Sequence, residues 1–133
     1  MEAKEKVYLA GGMESDWHEK LKQRFHNKFL FYNPKDHQLD ASEQYTLWDL
    51  HHIKKSDIVF AYLEKDNPSG YGLTLEVGYA KALNKTIILV DEKSDTNNEF
   101  KARFAIVKNS ASAVFDNLEE GIKFLERFSI YVG

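Results

Sequence analysis

Ile58-Val59-Phe60-Ala61-Tyr62-Leu63, followed a few residues on by Ser69-Gly70-Tyr71-Gly72-Leu73-Thr74-Leu75-Glu76-Val77-Gly78-Tyr79-Ala80, reads as a buried strand, a glycine-flanked turn and a helix running to about Leu83. An uninterrupted apolar run bounded by turn residues marks a strand covered on both faces. The glycines let a ligand approach the backbone closely. The same turn is expected to place Glu76 in the first turn of the helix, among N–H groups without intrahelical partners, which would favour its ionised form. Glu76 is then either an ordinary helix-start acid or an anion held ready beside a glycine-lined pocket, a candidate nucleophile or cation stabiliser.

The same grammar extends in both directions. Upstream, Val7-Tyr8-Leu9-Ala10 is an apolar strand closed by Gly11-Gly12. A helix is expected over residues 15–26, with Trp17, Leu21 and Phe25 on one face. Phe29-Leu30-Phe31-Tyr32 is a second strand, stopped by Asn33-Pro34. Asp40-Ala41-Ser42-Glu43 reads as a capping box for a helix whose buried stripe is Leu47, Leu50 and Ile53. Downstream, Thr86-Ile87-Ile88-Leu89-Val90 is a fourth strand, and residues 99–107 form a helix. Ala113-Val114-Phe115 is a fifth strand, and Asp116-Asn117-Leu118-Glu119 caps a last helix with Leu118, Ile122 and Leu125 inward. Phe60 and Tyr62 share one face of their strand and read as core.

Strand and helix thus alternate five times with no repeat and no linker. That pattern predicts an α/β fold: a doubly wound, five-stranded parallel sheet of Rossmann or flavodoxin-like type, order 2-1-3-4-5, with helices on both faces. Ligands in such sheets sit at the carboxyl ends of the strands near the switch point. Gly11-Gly12-Met13 and the loop over residues 66–72 meet at that edge, so the two glycine turns are expected to belong to one site.

The 133 residues are expected to form one domain, residues 1–133. A formal charge of −3 argues against binding nucleic-acid polymers or anionic membranes. The chain has no cysteine, which excludes disulfides, thiolate metal sites and thiol nucleophiles. Its charged start, Met1 to Lys6, lacks the apolar core of a signal peptide, and no later run is long enough to span a membrane. A cytoplasmic setting is the expectation.

Nucleotide-binding fingerprints are missing. No Walker lysine follows a glycine loop, and Gly70-Tyr71-Gly72 lacks the third glycine of a dinucleotide turn. The five histidines show no metal-ligand spacing, so no metal and no cofactor is expected. What remains is carboxylate chemistry. Asp49 lies between Trp48 and Leu50 beside the buried stripe of its helix, where burial would raise its pKa and let it hold a proton near neutrality. With an easily ionised Glu76, this would make two carboxyls of separated pKa, the pattern of glycosyl chemistry. Asp57 precedes its strand, lies at the opposite end of the sheet and reads as structural.

Three segments resemble the nucleoside 2-deoxyribosyltransferase family and its relatives, the 2′-deoxynucleoside 5′-phosphate N-hydrolases: residues 7–13 with Trp17 a little later; Asp49 followed by Asp57 and Ile58 to Leu63; and residues 68–85. The resemblance implies that Glu76 attacks C1′ of a deoxyribonucleoside, that Asp49 supplies the proton to the departing base, and that Tyr8 hydrogen-bonds the nucleophile. It implies a pocket lined by Gly11, Gly12 and Met13, with Ser69, Gly70 and Gly72 on the facing loop. Trp17 is either a packing residue or a stacking platform for a base. The partners implied are a small deoxynucleoside or deoxynucleotide and a free nucleobase, in a homodimer or larger homo-oligomer whose neighbouring subunit completes the site through a segment such as Asn109-Ser110. Two departures stand out. Gly70 holds the position, six before the nucleophile, where some transferases carry an acid, and Ser69 is seven before it, where the N-hydrolases place a phosphate-binding serine six before.

Overall fold

The computed structural model describes residues 4–68 and 70–129. Its strands are β1 (Lys6–Gly11), β2 (Leu30–Tyr32), β3 (Ile58–Leu63), β4 (Thr86–Asp91) and β5 (Ala113–Phe115). Its helices are α1 (Trp17–Arg24), α2 (Ser42–Lys55), α3 (Tyr71–Ala82), α4 (Asn98–Ser110) and α5 (Leu118–Glu126). The strands form one sheet of order β2-β1-β3-β4-β5, every pair parallel. This is the doubly wound α/β arrangement that the alternation predicts.

Side-chain alternation along the strands divides the core in two. Val7, Leu9, Phe60, Tyr62, Ile88 and Val90 pack under α1 and α5, against Trp17, Leu21, Phe25, Ile122 and Leu125. Tyr8, Ala10, Val59, Ala61, Leu63, Ile87 and Leu89 pack under α2, α3 and α4, against Ile53, Leu73, Val77, Phe104 and Val107. Tyr8 and Trp17 therefore lie on opposite faces of the sheet. On the α5 side the backbone comes close at Gly121, where a Cβ would stand 2.3 Å from Val90 Cγ2.

Two local expectations are corrected. The capping box at residues 40–43 does not form: Ala41 is the N-cap of α2 and no side chain caps the helix, so the Ser42 hydroxyl turns to the Glu43 carboxylate instead. The buried stripe of α2 is also rotated. Leu47 is 71% exposed, whereas Trp48, Asp49, Leu50 and His52 are half-buried and Ile53 is fully buried. The inward flank of α2 is partly polar because it faces a cavity rather than closed core.

His18 is fully buried against the Trp17 ring, with centroids 3.9 Å apart, and neither ring nitrogen has a hydrogen-bond partner among the described residues. Burial, helped by the Lys35 charge, lowers its pKa to about 4. The native ring stays neutral where the unfolded chain takes up a proton, so stability is expected to fall as pH drops from about 6.5 towards 4. His18→Phe keeps the ring packing and removes two unsatisfied atoms. It should raise stability at pH 7 by about 1 kcal/mol and flatten this acid-side loss, read by urea unfolding at several pH values.

Candidate active site

The switch point lies between β1 and β3, paired in register from Val7↔Ile58 to Gly11↔Tyr62. Their two following loops therefore open side by side at the carboxyl edge of the sheet, as expected for a ligand site in this fold. A cavity of about 410 Å³ fills the space, within the range of small-molecule sites. Gly11, Gly12 and Met13 line it from the loop after β1, and Asn67, Gly70, Gly72 and Glu76 from the β3–α3 segment. Pro34, His37 and Leu39 close it from the chain after β2, with Tyr45 and Asp49 from α2. Ser69 lies outside the described residues.

Gly70 is the N-cap of α3 at φ 74°, a left-handed conformation that glycine adopts without steric cost, and its N–H donates to Asn67 Oδ1 at 2.9 Å. The helix begins at Tyr71, which corrects the expectation for Glu76: it is the sixth helical residue, beyond the free N–H groups of the first turn. Its surroundings also act opposite to the expected direction. Burial first, and then the Asp49 charge, push its pKa up to about 7, against the hydrogen bond from Tyr8. The Tyr8 hydroxyl donates to Glu76 Oε2 at 2.6 Å, a short charge-assisted bond. Tyr8 is fully buried, and burial together with the Glu76 and Asp49 charges drives its own pKa far up, so it remains a proton-bearing donor.

Asp49 is half-buried, and burial raises its pKa as the sequence suggests, with His37, Tyr8 and His52 opposing. Both carboxyls are thus shifted upward, not apart. Each raises the cost of charging the other, so the pair favours a state in which one proton and one negative charge are shared. Among the described residues, no lysine or arginine lines the cavity, and no group of three or more His, Asp or Glu is placed to hold a metal ion.

Trp17 does not line the cavity. It is 2% exposed on the other face of the sheet, and its indole N–H donates to the Gly12 carbonyl at 2.9 Å, so it supports the glycine turn from behind. Asn109 lies on a shallow groove of α4 with Lys101 and Lys108, away from its own chain's cavity. Asp57 sits at the far edge of the sheet, where its carboxylate accepts the Lys6 N–H at 2.9 Å. Sequence reasoning missed the cavity walls formed by Pro34, His37, Leu39 and Tyr45, of which His37 is the one that faces Asp49. His37 stands in a loop with no periodic pattern around it, and only the packing of that loop against α2 brings it to Asp49.

A doubly wound sheet with a tyrosine-bound glutamate and a second enclosed carboxyl at its switch point defines a small-molecule site suited to carboxylate-driven group transfer. The family model described as "Nucleoside 2-deoxyribosyltransferase like" matches residues 4–94, and the chain belongs to that family. Members of the family transfer deoxyribose or hydrolyse N-glycosidic bonds, and this chain is an enzyme of that class. The 2-deoxyribosyltransferase of Bacillus psychrosaccharolyticus shares the fold at 23% identity and a TM-score of 0.67, over 96% of this chain and 99% of that one. The 2-deoxyribosyltransferase of Leishmania mexicana does so at 16% identity and a TM-score of 0.68, over 96% and 99%. A CMP N-glycosidase of Clostridium botulinum aligns at 18% identity and a TM-score of 0.59, over 92% and 99%. A search of curated proteins finds no significant match. No helix among the described residues is long and apolar enough to cross a membrane.

Proposed function

We infer that this protein is a nucleoside 2-deoxyribosyltransferase that works through a covalent deoxyribosyl ester on Glu76. The observation that carries the reading is the Tyr8–Glu76 hydrogen bond inside a cavity that also holds Asp49. Ionised Glu76 attacks C1′ and the N-glycosidic bond breaks. The departing base takes the Asp49 proton, so the negative charge passes from Glu76 to Asp49 as the ester forms. A second nucleobase then attacks C1′, gives its proton back to Asp49 and frees Glu76, the two-step logic of a retaining glycosidase. Tyr8 keeps one Glu76 oxygen engaged and leaves the other to react.

The absence of lysine and arginine from the described lining supports an uncharged nucleoside over a 5′-phosphate as substrate. The position of Asn109 outside its own cavity supports a role only in a neighbouring subunit's site. Exposed Leu47, Tyr71, Leu75 and Ile106 on α2, α3 and α4 offer apolar surface for a homodimer or larger assembly.

Incubation with each deoxynucleoside and a different free base, followed by chromatography, tests the reading. A new nucleoside supports the transferase. Free base without exchange replaces it with a hydrolase, and cleavage confined to 5′-monophosphates with a nucleotide N-hydrolase. Nucleoside binding without turnover leaves a non-catalytic binding module.

Because Glu76 must be ionised to attack, kcat/KM is expected to fall below about pH 7 as it takes up a proton. Tyr8→Phe removes a donor to the ionised form, so this acid limb should move to higher pH, and turnover should drop on the order of 10-fold or more. A pH–rate profile of the two proteins checks both.

A further inference from the structure

Asp49 Oδ1 is buried and has no hydrogen-bond partner among the described residues. An acid whose ionised oxygen stays unsatisfied would part with its proton reluctantly. Two imidazoles stand near it. His52 Nδ1 lies 2.8 Å from the Trp48 carbonyl oxygen, which can only accept, so the neutral His52 ring spends its N–H there. His37 is set the opposite way. Its Nδ1 accepts the Leu39 N–H at 2.9 Å, so the neutral ring carries its proton on Nε2, and Nε2 sits 3.7 Å from Asp49 Oδ1. The ring is held by its neighbours: it is stacked on Tyr45 with planes 8° apart and meets Trp48 edge-on, with centroids 5.1 Å apart.

We propose that His37 is the positioning residue of Asp49: its Nε2–H, aimed by the Leu39 amide, takes hold of Oδ1 as Asp49 gives its proton to the leaving base. The proton on Nε2 is not transferred. It closes the present gap to a hydrogen bond when the carboxylate forms and fixes Oδ1 as the oxygen that His37 engages. When the incoming base returns a proton to Asp49, the contact relaxes. The inference rests on the assignment of Asp49 as proton donor in the reaction proposed above. The other titratable groups facing Asp49 are Tyr8 from β1, Glu76 from α3 and His52 from its own helix.

The test compares two variants of the whole chain. His37→Phe keeps a flat ring against Tyr45 and Trp48 but has no N–H. His37→Gln places an amide N–H near the position of Nε2. Deoxynucleoside turnover is followed across the neutral pH range, and the Asp49 carboxyl is titrated by 13C NMR. His37→Phe is expected to lower kcat on the order of 10-fold or more with KM within about threefold. Its Asp49 should titrate at higher pH than in the parent, because a donor to the ionised form is lost, and the alkaline limb of kcat should follow. His37→Gln should return each quantity towards the parent. The carboxyl titration needs no turnover: an upward shift in a protein that cleaves no deoxynucleoside supports the contact and removes the reaction. An unchanged Asp49 titration in His37→Phe, or parental kcat and pH profile, overturns the proposal. So does 15N NMR of the parent showing the resting His37 proton on Nδ1, a measurement that stands if His37→Phe does not fold.

Discussion

Glu76→Ala and Glu76→Gln are expected to lose N-glycosidic turnover on the order of 10³-fold or more, with the fold intact. Water cannot replace an oriented carboxylate that forms a bond to C1′, and the bond from Tyr8 has no anion left to hold. The stability readout runs the other way. The native pKa of Glu76 is pushed up to about 7, above its ordinary value of 4.5. The native protein therefore binds more protons than the unfolded chain between those values, and this group's contribution to stability is lost as pH rises through about 7. Glutamine keeps the shape, still accepts from Tyr8 and cannot ionise. Glu76→Gln should therefore be more stable than the parent at pH 8 by about 1–2 kcal/mol, discounted for solvent reaching the carboxyl from the cavity, and little different at pH 5. Thermal midpoints at both pH values, beside the turnover assay, check the prediction. An inactive variant with no gain at pH 8 would mean that Glu76 is not held in a costly environment. An active variant would remove it from the chemistry altogether.

Strands could be read because their signal is local: six apolar residues at Ile58–Leu63 fit a strand buried on both faces, and Gly11-Gly12 and Gly70 mark the turns that follow. Once strands alternate with helices, handedness and the switch point bring Tyr8, Glu76 and the glycines to one edge. The charge state of Glu76 was misread because helix-terminus reasoning depends on where the helix starts, and a shift of one turn exchanges free N–H groups for an enclosed wall. The stripe of α2 was misread for a related reason. Hydrophobic periodicity finds the face that meets core, whereas α2 turns Asp49 towards a site and leaves Leu47 outside. His18 and His37 were invisible for want of any local pattern. One is buried by the packing of α1, and the other is placed by a loop against a helix. Trp17 is ambiguous in the sequence because only the packing of α1 on the sheet face opposite Tyr8 decides its place.

Gly11→Ala is expected to cost about 3 kcal/mol or more of stability and to take activity with it, although the change adds a single methyl group. Gly11 ends β1 at φ +146°, where an L side chain is strained, and a Cβ there would stand 2.4 Å from the Tyr62 carbonyl oxygen and 3.0 Å from Trp17 Cζ2. Neither neighbour is a free side-chain end. The carbonyl belongs to the paired strand β3 at the register position opposite Gly11, and the Trp17 indole is pinned by its bond to the Gly12 carbonyl. Relief requires β1 and β3 to separate at the switch point, which displaces the turn lining the cavity and strains the strand that carries Tyr8. Gly72→Ala is the matched control. Gly72 also lines the cavity, but a Cβ there meets nothing within 4 Å, and it lies inside α3 where alanine is the better helix former. That variant should gain about 0.5–1 kcal/mol, so any rise in its KM would report a ligand close to the α3 backbone. Urea unfolding of both variants separates the two effects. A Gly11→Ala protein with the parental midpoint would show that the β1–β3 edge gives way more easily than this packing allows, and the site would then owe its shape to the loops alone.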